Sequence, residues 1–253
     1  MEHYATAQQV YAGGLIFARL GAIVMLIPGI GETFVPPRTR LGFALLFALV
    51  LAPIVGGSVP PIPSEVSGVG GAVIKELLIG LMIGAILRLF MSSLTVAGEI
   101  VSIQTTLSFA QTANPTEAVP STSLGTFLGM LGLLLVMTTN LHHLFLGAIV
   151  KSYAIFPFAR AAPVADAGAL AIQTVSRAFA LGLQLAAPVM VFSVVFTVAT
   201  GLVARVMPQF QVFFVATPLQ VLLGLSVFAL SIGAIGMVWV DRYRELLIPF
   251  GGS

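Results

Sequence analysis

Residues 72–97 read AVIKELLIGLMIGAILRLFMSSLTVA, and this stretch decides the fold. It is apolar on nearly every side and shows no alternation of period two. In hydrocarbon, each backbone N–H and C=O must be bonded within its own segment or within a closed barrel. A barrel strand would be about 10 residues with strict alternation, so a run of this length reads as a helix. Outward from it, similar runs cover residues 10–30, 41–56, 124–150, 169–203 and 212–240. Of the 253 residues only 8% are charged and 58% are hydrophobic, with a mean hydropathy of +1.08. Soluble domains carry about 25% charged residues, so this chain cannot clothe itself in a water-facing surface. The sequence predicts an all-α membrane protein with about six long apolar helices, forming a single helical domain over residues 1–253.

The connections are polar or proline-rich. Gly31 to Arg40 is a turn, and Gly57 to Pro63 holds Pro60, Pro61 and Pro63, which favour extended backbone. Residues 151–168 read as a loop, and 201–211 as a polar junction carrying Arg205 and Pro208. The run at 41–56 is short and closed by Pro53, and the run at 72–97 opens on the charged pair Lys75 and Glu76. Such poor spans point to helices that contact protein rather than lipid. Met1 to Val10 contains no Lys or Arg, so no secretory signal is expected and the first run is expected to be retained. A net charge of +2 with dispersed basic residues leaves no nucleic-acid footprint. The basic residues place the C-terminal tail weakly on the cytoplasmic side. With no cysteine, disulfides and thiol chemistry are excluded.

Arg19, Lys75, Glu76, Arg88, Glu99 and Arg177 lie in or beside apolar runs. Such groups cost several kcal/mol unless paired or wet. They are read as an ion or proton pathway, or as interhelical pairs and interface contacts, with the second reading preferred. Arg88 and Glu99 sit about 16 Å apart on one helix face, too far to pair within that helix. His142 and His143 point about 100° apart on a helix, so one metal would not use both, and a polar helix-end contact with Asn140 fits better. No nucleophile elbow, P-loop or dinucleotide motif is present, so neither an enzyme nor a cofactor is expected. Gly80 and Gly84 form a small-xxx-small face for close helix packing. The stretch QTTLSFAQTANP, residues 104–115, is a surface loop or a re-entrant segment lining a pore.

Several stretches, in order, carry a family likeness. They are Phe17-Ala-Arg19 and Pro28, Val35 to Arg40, Glu76-x3-Gly80-x3-Gly84, and Ala97-Gly98-Glu99-Ile100 leading to Gln104, Leu107 to Ala110 and Asn114-Pro115. Asn140-Leu-His142-His143, Ala187-Pro188, and Gly201-x3-Arg205 through Pro208 to Phe213 complete the set. Together they resemble the FliR/SctT export-gate family of type III secretion, over nearly the whole chain.

The resemblance implies helices packed as hairpins and lifted partly out of the bilayer plane. It implies a non-enzymatic subunit of a flagellar protein-export gate, in the bacterial inner membrane at the flagellar basal body. The implied partners are FliP-like and FliQ-like subunits, FlhB-like and FlhA-like components, unfolded flagellar export substrates and membrane lipid. By the same likeness Gln104, Leu107, Ser108, Phe109, Ala110, Asn114 and Pro115 form a channel plug, with Phe109 as the apolar stopper. An aromatic at a constriction excludes water and ions. Thr106 stands where the family often has glycine. Arg38, Arg40, Glu76, Gly80, Gly84, Glu99, Arg205 and Pro208 are the expected assembly or interface residues. A virulence injectisome subunit of the same family, or a small-solute transporter using Glu76, Arg88 and Glu99, are the alternatives.

Overall fold

The structure is a computed structural model and describes residues 6–108, 122–158, 164–209 and 211–247. Among the described residues seven α-helices follow one another: α1 (Ala7–Leu26), α2 (Pro37–Val55), α3 (Val66–Gln104), α4 (Ser123–Thr138), α5 (Leu141–Ile155), α6 (Val164–Val206) and α7 (Val212–Leu247). Among the described residues there is no strand, and the all-α membrane class is the class of this chain.

Local chemistry sets the helix ends. Thr6 and Gln9 form a capping box at α1: the Gln9 amide donates to Thr6 Oγ1 at 3.3 Å and the Thr6 amide to Gln9 Oε1 at 2.8 Å. Pro37 opens α2, where its missing N–H costs nothing. Thr122 caps α4 through Oγ1, which accepts from the Gly125 amide at 3.0 Å.

The expected run at 124–150 is not one helix. It breaks at Asn140, whose φ of 59° is left-handed. Asn tolerates that conformation better than most side chains. Just before it, Thr139 Oγ1 donates to the Leu135 carbonyl at 2.6 Å, closing the end of α4. Apolarity alone gives no hint of the break. Several helices also outrun their apolar cores: α3 begins at Val66, α5 continues to Ile155 and α6 starts at Val164. The loop expected over 151–168 is correspondingly shorter.

Among the described residues five helices are long and apolar enough to cross a membrane, α1, α2, α3, α6 and α7, and the broken pair α4–α5 would make a sixth span. Half of the apolar window is buried in α1 and α3, against 22% in α2, 17% in α6 and 22% in α7. The last three therefore turn most of their apolar surface outward, toward lipid or other protein.

Backbone contacts divide the chain into two units. The first comprises Met1–Phe90, Asn140–Val175 and Glu245–Ser253, and the second Met91–Thr139 and Ser176–Arg244. In the first, Leu15, Ile16, Leu20 and Ile23 of α1 are buried together with Ile79 and Ile83 of α3 and Phe145 and Ile149 of α5. In the second, Leu94 and Val101 of α3, Leu128 and Val136 of α4, Leu185 and Val189 of α6 and Trp239 of α7 are buried. Trp239 stacks on Tyr243 at 4.9 Å and donates Nε1 to Ser93 Oγ at 3.1 Å. Lipid tails are as apolar as leucine, so close packing rather than water exclusion must favour helix contact. Glycines provide it. Gly80 lies against the Arg19 carbonyl and Gly84 against Leu26 of α1. Gly98 meets the α4 backbone, where an added Cβ would stand 2.5 Å from Gly125 Cα.

Candidate functional site

The first unit is held by a buried charge cluster. Arg19 lies in the middle of α1 and Glu76 near the start of α3, both with no solvent exposure. Arg19 Nε donates to Glu76 Oε2 at 2.6 Å, Nη1 to the Ser152 carbonyl at 3.2 Å and Nη2 to the Phe156 carbonyl at 2.8 Å. Those carbonyls lie at the C-terminal end of α5, where the Ser152 carbonyl also accepts from the Phe156 amide at 2.8 Å. The planar five-donor fork of arginine is suited to one carboxylate and two carbonyls at once. The guanidinium also sits 4.3 Å from the Tyr153 ring centre and 5.2 Å from that of Phe158. Lys75 donates to the Phe158 carbonyl, and its ammonium stands 3.6 Å from Glu76 Oε1, which has no hydrogen-bond partner among the described residues. The cluster thus joins α1, α3 and α5, with the Arg19–Glu76 pair fully buried and Lys75 at its partly exposed edge.

The other ionisable residues are dispersed. Arg88 pairs with Glu32 at 3.8 Å, its side chain 45% exposed, so this contact contributes little. Glu99 accepts from the Thr122 amide at 3.1 Å, placing an acid at the positive end of α4. Glu76, Arg88 and Glu99 therefore each have separate partners. Arg40 folds back on its own turn, donating to the Val35 carbonyl at 3.0 and 2.8 Å and the Glu32 carbonyl at 2.9 Å. Arg38 and Arg205 are exposed and make no hydrogen bond or ion pair among the described residues, and Pro208 is exposed beyond the end of α6. Among the described residues no cluster could hold a metal ion.

The second unit contains a polar junction at the end of α3. Gln104 is the last residue of that helix. Its carbonyl accepts from Ser193 Oγ of α6 at 3.1 Å and from Gln220 Nε2 of α7 at 2.9 Å. Its own Oε1 lies 3.2 Å from the same Ser193 hydroxyl. Two residues on, Thr106 adopts a φ of 58°. Leu107 and Ser108 follow, half-buried. Phe109, Ala110, Asn114 and Pro115 lie outside the described residues. Ser193 and Gln220 were not singled out from the sequence. Their signal is faint, since each is one uncharged polar residue in a long apolar helix.

These features define a class: an all-helical membrane protein whose buried ionisable pair, Arg19 and Glu76, ties helices together. The sequence matches the family described as bacterial export proteins, family 1, over residues 10–246. It is 66% identical to the flagellar biosynthetic protein FliR of Caulobacter vibrioides, over 99% of this chain and 100% of that protein. It is 28% identical to the FliR of Bacillus subtilis over 94% of this chain and 95% of that one, and 28% identical to the FliR of Escherichia coli over 83% and 80%. The chain belongs to the bacterial export proteins of family 1, in the branch of the FliR proteins.

Proposed function

We propose that this chain is a non-enzymatic subunit of the flagellar type III export gate, in the bacterial inner membrane at the flagellar basal body. It assembles with FliP-like and FliQ-like subunits, works beside FlhA-like and FlhB-like components, and forms part of the passage for unfolded flagellar proteins. The observation that carries this reading is the end-to-end likeness to a flagellar FliR at 66% identity. The outward apolar faces of α2, α6 and α7 agree with it, because they can meet partner helices as well as lipid. In this reading the stretch beginning at Gln104 closes the passage, with Phe109 as its apolar stopper, and Arg38 and Arg205 reach toward partner subunits. The flagellar relatives favour the flagellar system over the injectisome.

Copurification tests the proposal. The tagged chain is expressed with its neighbouring membrane genes in the native host, extracted gently, and its companions identified. Recovery of FliP-like and FliQ-like subunits in one stable particle is expected. A lone, monodisperse protein would overturn the gate reading and leave solute transport as the better account.

A further inference from the structure

We infer that Ser193 and Gln220 act as a clamp on the last carbonyl of α3, and so fix the point from which the closing stretch leaves that helix. The inference rests on the gate reading above. It makes these two side chains positioning residues for the closed state.

The geometry is specific. The final carbonyls of a helix have no intrahelical donor, so side chains from neighbouring helices can supply one. The Gln104 carbonyl receives two donors from two different helices, Ser193 of α6 and Gln220 of α7. A carbonyl oxygen has two lone pairs; Gln220 serves one, and the single Ser193 proton is shared between this oxygen at 3.1 Å and Gln104 Oε1 at 3.2 Å. Ser193 is buried at 4% exposure, and Gln220 Nε2 lies 3.5 Å from its hydroxyl, which links the two donors. One turn along α7 from Gln220 is Gly224, where an added Cβ would stand 2.6 Å from Thr105 Cγ2. The backbone of α7 is therefore drawn close beside the residue that follows Gln104.

Directly after the clamp the chain is under tension. Thr106 is β-branched yet left-handed, with a φ of 58°. The hydroxyls of Ser102 and Thr106 are buried without a hydrogen-bond partner among the described residues. A conformation this costly persists only where its surroundings over-determine it. The two donors on Gln104 supply that constraint. With one removed, the carbonyl loses a partner, the last turn of α3 is freer to unwind, and Thr106 can relax to a negative φ.

The test separates positioning from simple helix glue. The gate particle is prepared with Gln220→Leu, Ser193→Ala and Ser193→Thr in this chain, and two quantities are read: recovery of partner subunits and ion leak across the membrane. Removing either donor is expected to raise the leak roughly threefold to tenfold with unchanged recovery, while Ser193→Thr, which keeps the hydroxyl, stays near the parent. An unchanged leak in an intact particle would overturn the inference, and so would loss of partners without leak. If Gln220→Leu does not accumulate, Gln220→Asn shortens the reach by one methylene and probes the same contact. Phe109→Ala is run alongside. If it leaks and the clamp variants do not, the clamp falls and the gate reading stands. If no partners are recovered with the parent chain, both fall.

Discussion

The side chains of Arg19 and Glu76 meet at 2.6 Å with no solvent exposure on either, although 57 positions separate them in the chain. The contact makes each residue the condition for burying the other. Arg19 also holds the carbonyls of Ser152 and Phe156, so its loss would take a donor from one carboxylate and from the end of one helix together.

Substituting either partner by alanine should therefore be severe. Arg19→Ala and Glu76→Ala are each expected to cost about 3–5 kcal/mol, because Glu76→Ala leaves the buried Arg19 without a carboxylate and Arg19→Ala leaves Glu76 with only the Lys75 ammonium at 3.6 Å. The double variant should be less damaging than the sum of the two by about 0.5–3 kcal/mol. Denaturant unfolding in detergent micelles measures the cycle, and strict additivity would show that the pair is not coupled.

Glycines in the core should sort by what faces them. Gly98→Ala would press a methyl against the α4 backbone, 2.5 Å from both Gly125 Cα and the Leu124 carbonyl oxygen. A loss of about 1–3 kcal/mol or more is expected from such overpacking. At Gly21 nothing lies within 4 Å, so Gly21→Ala should be neutral or stabilise α1 by up to about 1 kcal/mol. Melting temperatures of the purified chain compare the two, and equal effects would contradict the packing described.

Thr106→Gly is expected to raise stability. The left-handed conformation costs an L-residue roughly 1–2 kcal/mol that glycine does not incur. Loss of the threonine methyl offsets part of it, but the buried unpaired hydroxyl disappears as well. A fall in melting temperature would mean that the side chain contributes more than its backbone strain costs.

Arg205→Ala and Arg38→Ala should leave the isolated chain unchanged within about 0.5 kcal/mol, since both are exposed surface substitutions without partners among the described residues. Within the proposed gate, Arg205→Ala is expected to lower recovery of partner subunits. Unchanged yield would remove that role.

The helices were legible because apolar runs of span length leave backbone groups no other way to be satisfied. Their ends were less so. Polar residues at either end of α3 and α6 remain helical, and hydropathy stops before the helix does. The break at Asn140 was hidden inside an unbroken apolar pattern, with Asn itself as the single hint. At the charge cluster the sequence marked Arg19 and Glu76 as costly but could not pair them. Two of the three groups that Arg19 contacts by hydrogen bond are backbone carbonyls, which have no signature in sequence. Glu32 as the partner of Arg88 was equally invisible, because it comes from the turn before α2. Ser193 and Gln220 escaped notice since one uncharged polar residue barely alters the hydropathy of a long helix.

The two units are interleaved along the chain, and this constrains how the protein can be made. The first unit takes Met1–Phe90, then Asn140–Val175, and finally Glu245–Ser253. A ribosome delivers its opening helices early and its closing piece last, after the whole of the second unit. The earliest helices must therefore wait in the membrane incomplete, and a chain halted after Arg244 lacks part of the unit whose synthesis began first. Neither unit corresponds to a continuous stretch of gene, so neither can be expressed, exchanged or lost by a single cut.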